Sequence, residues 1–453
     1  MTLVEKFITL INFIVKIFLV ISRLFHKPIK NNLNQKLKII PCFLSDNSIK
    51  DRVDTILYEC GPLYYIFDGQ QRIVIIGDYY HAKEFYKLKR RRNYDYLGYV
   101  YKILFNKCIY IHDDKEWSLL REPLTNFFSR ESIKSHFDMI FEKVDQRIQE
   151  NFSQYYYYYS IDGFYFDKLF LSILSNIIYG EMPKKDFEEL YQLYLIHQDL
   201  MDIMRQDMLL RFNCVNYFFN MPNHNHVKNF WKCWQQFNNM KINTIKKNTL
   251  LQMIINNNVY KNNLLVFHHT LYEILLFSVD IMITSFSNLI RDIASDNNVR
   301  KSICDEIRSN NIMSFDNITS LEYLNNVICE SARLNPAISL TFPQIITENA
   351  TLNGFNLPAG TQVSLDIQMI NRDAKIWEKP HSFFPNRFLK NKSSNQDPYV
   401  LFNRFGLSSR KCVGDILADT ILKTSIIVLL NYFNFALING EIHFIKNRLL
   451  PIQ

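Results

Sequence analysis

The chain has 453 residues, 48% of them hydrophobic, with 52 basic against 44 acidic side chains and a formal net charge of +8. Such a chain can bury a large core, and its 11 Gly and 13 Pro are too few for an all-β design full of tight turns. The charge excess is mild: it fits an acidic protein partner, an anionic membrane face or an ordinary solvated surface, and excludes dedicated nucleic-acid binding.

Length alone suggests roughly three domains of about 150 residues. No Gly/Ser-rich or Pro-rich linker separates them, so a single large domain is expected. The eight cysteines (Cys42, Cys60, Cys108, Cys214, Cys233, Cys304, Cys329 and Cys412) form no CxxC pair and no zinc-like spacing. Their scatter points to a reducing compartment without a disulfide framework.

The N-terminus differs from the rest. Residues 7–25 are mostly Ile, Leu, Val and Phe, long enough to span a bilayer, although Asn12 and Lys16 interrupt the run. No small-x-small cleavage site follows. Lys27, Lys30, Lys36 and Lys38 come next, which by the positive-inside rule keeps the bulk of the chain on the cytoplasmic side. The segment reads as a spanning anchor, with an interfacial amphipathic helix as the alternative.

Tyr64 to Phe67 and Arg72 to Ile76, separated by Asp68-Gly69, predict a β-hairpin. Gly77-Asp78 then opens a helix to about Leu88, and the basic run Lys87 to Arg92 reads as a solvated face. Tyr155 to Tyr159 is low in complexity. Residues 164–307 are mainly helical in pattern, with polar breaks near Met221-Pro222 and Asn256 to Asn258. Leu264 to Ala294 predicts one long apolar helix, central to the core because Glu273 and Asp280 argue against a membrane span. Leu321 to Leu334 predicts a further helix. Ala350 to Leu365, with Gly354, Pro358 and Gly360, predicts short strands and turns.

Two constellations carry chemistry. Glu330 and Arg333, three apart on a predicted helix, share a face and can pair. Cys412 sits in FGLSSRKCVG just before the apolar run Ile416 to Leu430, which predicts a helix. A thiol at a helix N-terminus meets unpaired N–H groups and the positive end of the dipole, and both favour the thiolate, the metal-binding form. Arg410 adds a cation able to hold an anion beside the sulfur.

The order ICESARLNP, TLNGFNLPAGTQV, NRDAKIWEKPHSFFPNRF, FGLSSRKCVG resembles the cytochrome P450 family, the heme-thiolate monooxygenases. The resemblance runs from about Gly61 to the C-terminus. It is strongest from Leu264 onward and weakest from about Phe128 to Asn263. It implies a mainly α fold with small β-sheets (α+β), with heme between a long central helix and a proximal cysteine loop and helix. It implies residues 1–26 as membrane anchor and residues 27–453 as a single heme-binding catalytic domain. Cys412 then corresponds to the thiolate ligand of heme b iron, Phe405 to its shield, and Arg410 to a propionate partner. Trp117 and Arg121, in KEWSLLREPL, match the W-x-x-x-R helix that contacts propionates. Glu330, Arg333 and Arg387 match the family's structural charge triad. Electrons would come from NADPH through a separate reductase, and the substrate would be small and lipophilic. The family's location would be the endoplasmic reticulum membrane, with the catalytic domain facing the cytoplasm.

Three positions depart from the pattern. Ser408 replaces a glycine four residues before the cysteine. Gln344 stands where an Arg or His often binds a propionate. In the long helix, FSVDIM lies opposite the family's [AG]-G-x-[DE]-T-[TS]. Asp280 keeps the acid, but Ile281 replaces the threonine and Ser278 the glycine. Thr284 and Ser285, one turn on, are the nearest substitutes. The missing threonine leaves open a heme-thiolate isomerase or dehydratase that needs no dioxygen, and a degenerate heme protein.

Overall fold

In the computed structural model, which describes residues 60–68, 71–92, 103–153, 166–206, 222–310, 314–389, 404–406, 410–438 and 441–446, the expected hairpin forms. Its strands are β1 (Leu63–Asp68) and β2 (Gln71–Ile76), paired antiparallel from Leu63↔Ile76 to Asp68↔Gln71. The expected anchor, the tyrosine run and Ser408 lie outside the described residues. The chain divides into two compact units. Of the described residues, one unit contains those up to Asp113, within Leu195–Trp234 and within Ile338–Pro380; the other contains the remainder.

The first unit is built on a five-stranded sheet of order β1-β2-β7-β4-β3. Its further strands are β3 (Arg90–Arg92), β4 (Gln344–Ile346) and β7 (Gln362–Leu365), while β5 (Ala350–Leu352) and β6 (Phe355–Leu357) form a separate hairpin. The hairpin turns at Asn353 and Gly354, with φ of 49° and 74°, the left-handed pair that a tight two-residue turn requires. Period-2 alternation buries both faces of the main sheet. Leu63, Tyr65, Val74 and Ile76 pack with Phe85 and Val363 on one side. Tyr64, Ile66, Ile73 and Ile75 pack with Met369 on the other.

The basic run is the expected solvated face only in part: Lys87, Lys89 and Arg91 are exposed, whereas Arg90 and Arg92 are half-buried. Arg90–Arg92 is an edge strand paired with β4. The Arg90 guanidinium lies 4.8 Å from the Tyr86 ring and 5.4 Å from the Phe85 ring. Its Nε donates to Gln344 Oε1 at 2.9 Å. Arg stems bury well beside aromatic faces, which solvation arguments from charge alone overlook.

Asp366 caps the short helix Ile367–Ile370, accepting from Met369 N at 2.9 Å. Tyr64 OH lies 3.4 Å from its other oxygen. Burial raises its pKa from 3.8 to about 6. The unfolded chain therefore ionises first as pH rises. The stability this group contributes is present in acid and is lost as pH climbs through that window. Asp366→Asn should escape the loss and exceed the wild type by roughly 2 kcal/mol at neutral pH, with little difference in acid. Urea midpoints at both pH values check this; the same advantage at both would show that ionisation of Asp366 is not the cause.

The second unit is mainly helical. Its elements include α1 (Asp114–Phe127), α2 (Phe137–Ser153), α3 (Phe166–Tyr179) and the first half of α4 (Lys184–Gln206). The predicted long helix spans Leu264–Ser295 but is not uniform. It consists of α5 (Leu264–Tyr272), a π-helical turn at Glu273–Phe277, and α6 (Ser278–Ser295). After it come α7 (Glu322–Leu334), α8 (Asp415–Tyr432) and the terminal hairpin of β8 (Phe433–Ile438) and β9 (Glu441–Lys446). The terminal hairpin has no counterpart in the sequence reading.

By length and composition the 32-residue helix Leu264–Ser295 could cross a membrane. Its apolar side instead serves as core. Leu271, Leu275, Val279, Phe286 and Ile290 are fully buried. Phe286 meets Phe166 and Phe170 of α3 edge-on, with centroids 4.9 and 5.4 Å away. The opposite strip, through Phe277, Ser278, Ile281, Thr284 and Asn288, is left partly or fully uncovered.

Candidate active site

Cys412 lies three residues before α8. Its N–H donates to Phe405 O at 2.9 Å, closing the loop. Gly406, beside Phe405, takes φ of 85°, which glycine alone adopts cheaply. The helix has Gly414 as its N-cap and so no side-chain cap, which leaves its first amides to other acceptors; Asp415 Oδ1 takes Ile416 N–H at 2.8 Å. Gly414 N–H hydrogen-bonds the sulfur.

The expected lowering of the thiol pKa does not occur. Burial pushes Cys412 up, Gly414 N–H and Arg121 pull it down, and Asp415 and Glu273 push it up again. Desolvation, which no motif displays, outweighs the dipole and the cation. By surface area the same side chain is exposed. The two observations describe different things: neighbouring protein displaces water around the sulfur, while one side borders open space. A Cβ built on Gly406 or Gly414 would likewise meet nothing within 4 Å.

Two guanidiniums lie close to one indole beside this loop. Arg410 lies 4.5 Å and Arg121 5.8 Å from the Trp117 ring. Arg121 Nη2 also donates to Lys411 O at 2.6 Å, tying α1 to the residue preceding Cys412. Burial lowers the Arg121 pKa, but a guanidinium stays charged in protein. Arg404 lies 4.4 Å over the Phe405 ring and pairs with Asp419. The structure thus brings Trp117, Arg121, Phe405, Arg410 and Cys412 into one neighbourhood.

Among the described residues no group of three or more His, Cys, Asp or Glu could hold a metal ion. A lone thiol is a poor site for a bare ion, which needs about four donors. It suits a metal whose other ligands come from a macrocycle. Two cations beside the thiol suit a macrocycle that carries carboxylates. The donor set fits heme.

Glu330, Arg333 and Arg387 also meet. Glu330 receives both Nε and Nη2 of Arg333, at 2.8 and 2.9 Å. Its Oε1 also accepts from Arg387 Nε at 2.9 Å and from Phe384 N at 2.8 Å. Both arginines donate to Ser382 O at 3.2 Å. Glu330 and Arg333 side chains are 0% exposed and Arg387 7%. Such burial is tolerable only because nearly every polar atom is paired.

On the distal helix, Asp280 Oδ1 accepts from Tyr194 OH at 2.8 Å. Thr284 Oγ1 donates to Asp280 O at 2.9 Å and is exposed, so its hydroxyl is spent on its own helix. Ser278 Oγ donates to Glu273 O at 3.2 Å, across the π-turn. Ile281 is half-buried. Gln344 is bound to Arg90 within the sheet. Tyr194 and the π-turn were not foreseen: a tyrosine on an apolar helix face reads as core, and a π-turn leaves no residue signature that spacing reveals.

The family profile described as Cytochrome P450 matches residues 38–450. Cytochrome P450 monooxygenase aclC of Aspergillus oryzae is 21% identical over 411 residues, covering 84% of this chain and 80% of that protein. Cytochrome P450 Tp4149 of Tanacetum parthenium is 28% identical over 38% of this chain, and cytochrome P450 3A25 of Mus musculus 32% identical over 33%. These two matches span 36% and 30% of the relatives' own lengths. A zebra fish cytochrome P450 solved with progesterone superposes with a TM-score of 0.70 at 16% identity, covering 89% of this chain and all of that one. A zebra fish cytochrome P450 solved with abiraterone gives 0.66 at 17% identity, covering 85% and 91%. Those superpositions establish a shared, mainly helical fold with small sheets. With a profile that spans nearly the whole sequence, they make the chain a divergent member of the cytochrome P450 family.

Proposed function

We propose that this chain is a membrane-anchored heme-thiolate monooxygenase that inserts one oxygen atom from dioxygen into a small lipophilic substrate. Cys412, three residues before a helix with no side-chain cap and in the loop whose Arg410 joins Arg121 at the Trp117 ring, is the observation that carries the reading. When bound, thiolate-ligated heme b supplies oxygen activation, because electron donation from sulfur favours O–O cleavage. Arg121, Arg410 and Trp117 hold its propionates, and Phe405 shields the sulfur. Glu330, Arg333 and Arg387 fix the fold around α7. Asp280 is the acid for proton delivery, with Thr284, one turn on, as the nearest hydroxyl on the helix. A reductase fed by NADPH provides electrons. Residues 7–25 anchor the chain, with the endoplasmic reticulum as membrane and the catalytic part facing the cytoplasm.

The carbon monoxide difference spectrum of the reduced full-length protein tests this. A strongly red-shifted Soret band supports thiolate-bound heme; folded protein without heme sinks the reading.

Ile281 and the bound state of the Thr284 hydroxyl favour a second reading, an oxygen-independent heme-thiolate isomerase or dehydratase, or a degenerate heme protein. Dependence on NADPH and reductase separates these from the first. Under the first reading, Ile281→Thr restores a hydroxyl next to Asp280 and lowers peroxide released per NADPH consumed, by roughly twofold or more given the 10²–10⁴-fold scope of acid catalysis. An unchanged ratio would show that position 281 does not govern proton delivery.

A further inference from the structure

The acid of the distal helix is held from the side. Tyr194 on α4 is 0% exposed, and its phenol donates to Asp280 Oδ1 at 2.8 Å. Burial, then the negative charge of Asp280, push the Tyr194 pKa far above the usual range. The group is therefore a permanent neutral donor and a poor source of protons. One turn earlier, Tyr191 stacks on it with centroids 6.5 Å apart and planes at 25°. Tyr191 OH donates to Asp167 Oδ2 at 2.8 Å, and the Lys168 ammonium lies 4.4 Å over the Tyr191 ring. Asp167 and Lys168 belong to α3, the helix whose Phe166 and Phe170 pack on Phe286 of α6. The phenol is thus fixed by packing on three helices, and Asp280 takes its orientation from a rigid partner.

We propose that Tyr194 is a positioning residue for Asp280, fixing the carboxylate's rotamer and so setting how it presents to the uncovered strip of α6. The inference rests on the reading of Asp280 as the acid of the reaction. A buried tyrosine needs some acceptor in any case. What distinguishes positioning from mere satisfaction is that changing the phenol alters proton handling as well as stability.

The test uses the full-length protein with its reductase, as wild type, Tyr194→Phe, Asp280→Ala and the double variant. In urea unfolding, Tyr194→Phe should lower the folding constant about tenfold when Asp280 is present and leave it unchanged or raised in Asp280→Ala, where the phenol has lost its acceptor. Equal losses in both backgrounds overturn the pairing. In turnover, Tyr194→Phe should change the solvent deuterium isotope effect on NADPH consumption at least twofold, with no further change in the double variant relative to Asp280→Ala. A heme-loaded, NADPH-consuming wild type whose isotope effect is untouched by Tyr194→Phe overturns this inference alone. A wild type without the red-shifted carbon monoxide band overturns the underlying reading, and this one with it.

Discussion

Glu330→Ala should lose roughly 3–5 kcal/mol of folding stability, the cost of stranding a buried charge. The reason is numerical. One carboxylate with no exposed surface answers two guanidiniums and one backbone N–H, so its removal strips the fully buried Arg333 of its two-pronged carboxylate partner. Against a typical total of about 5–15 kcal/mol, that is enough to prevent accumulation of folded protein. Arg387→Ala is milder, near 1.5–3 kcal/mol, because Glu330 keeps its two-pronged partner Arg333. Urea midpoints of the two variants give the ranking. If Glu330→Ala falls within about 1 kcal/mol of wild type, the cluster is solvated in solution.

Cys412→Ala should remove the red-shifted carbon monoxide band altogether and bring NADPH-dependent turnover to background. Stability of the heme-free chain should change by no more than about 0.5 kcal/mol, as for other exposed positions. Cys329→Ala is the matching control. That thiol is buried in α7 beside Glu330, and its replacement should cost stability while leaving the band in place. A band that survives Cys412→Ala would assign the ligand to another residue.

Where these groups sit was legible in the sequence to very different degrees. Glu330 and Arg333 were visible because three-residue spacing on a helix forces a shared face. Arg387, far along the chain, joined them only through the family resemblance. The hairpin of β1 and β2 and the helices α7 and α8 followed from period 2 and period 3.6 with clear breakers. The thiol pKa failed because a motif displays the helix terminus and the arginine but not the protein mass that desolvates the sulfur. The solvated-face reading of the basic run held for Lys87, Lys89 and Arg91 but failed at Arg90, where charge was read as exposure, whereas its guanidinium rests on Tyr86 and binds Gln344. Tyr194 was hidden for the opposite reason: its apolar ring matched a core position, and its hydroxyl acquired meaning only from Asp280, which is distant in sequence.

The π-turn at Glu273–Phe277 has a consequence for counting along the chain. A π-turn holds one more residue than an α-turn in the same stretch of helix, so it re-phases everything before it by roughly 100° relative to everything after it. Ungapped comparison with a relative that lacks the turn is therefore in frame for Ser278 to Ser295 and one residue out of frame for Leu264 to Tyr272. The pairing of Asp280 and Ile281 with the family's acid and threonine depends only on the in-frame side. Lining residues transferred onto α5 from such a relative would land on the wrong face. By the same geometry, deleting a single residue within Glu273–Phe277 would leave both flanks facing as they do now, whereas the same deletion anywhere in α6 would rotate one flank of the helix out of the core.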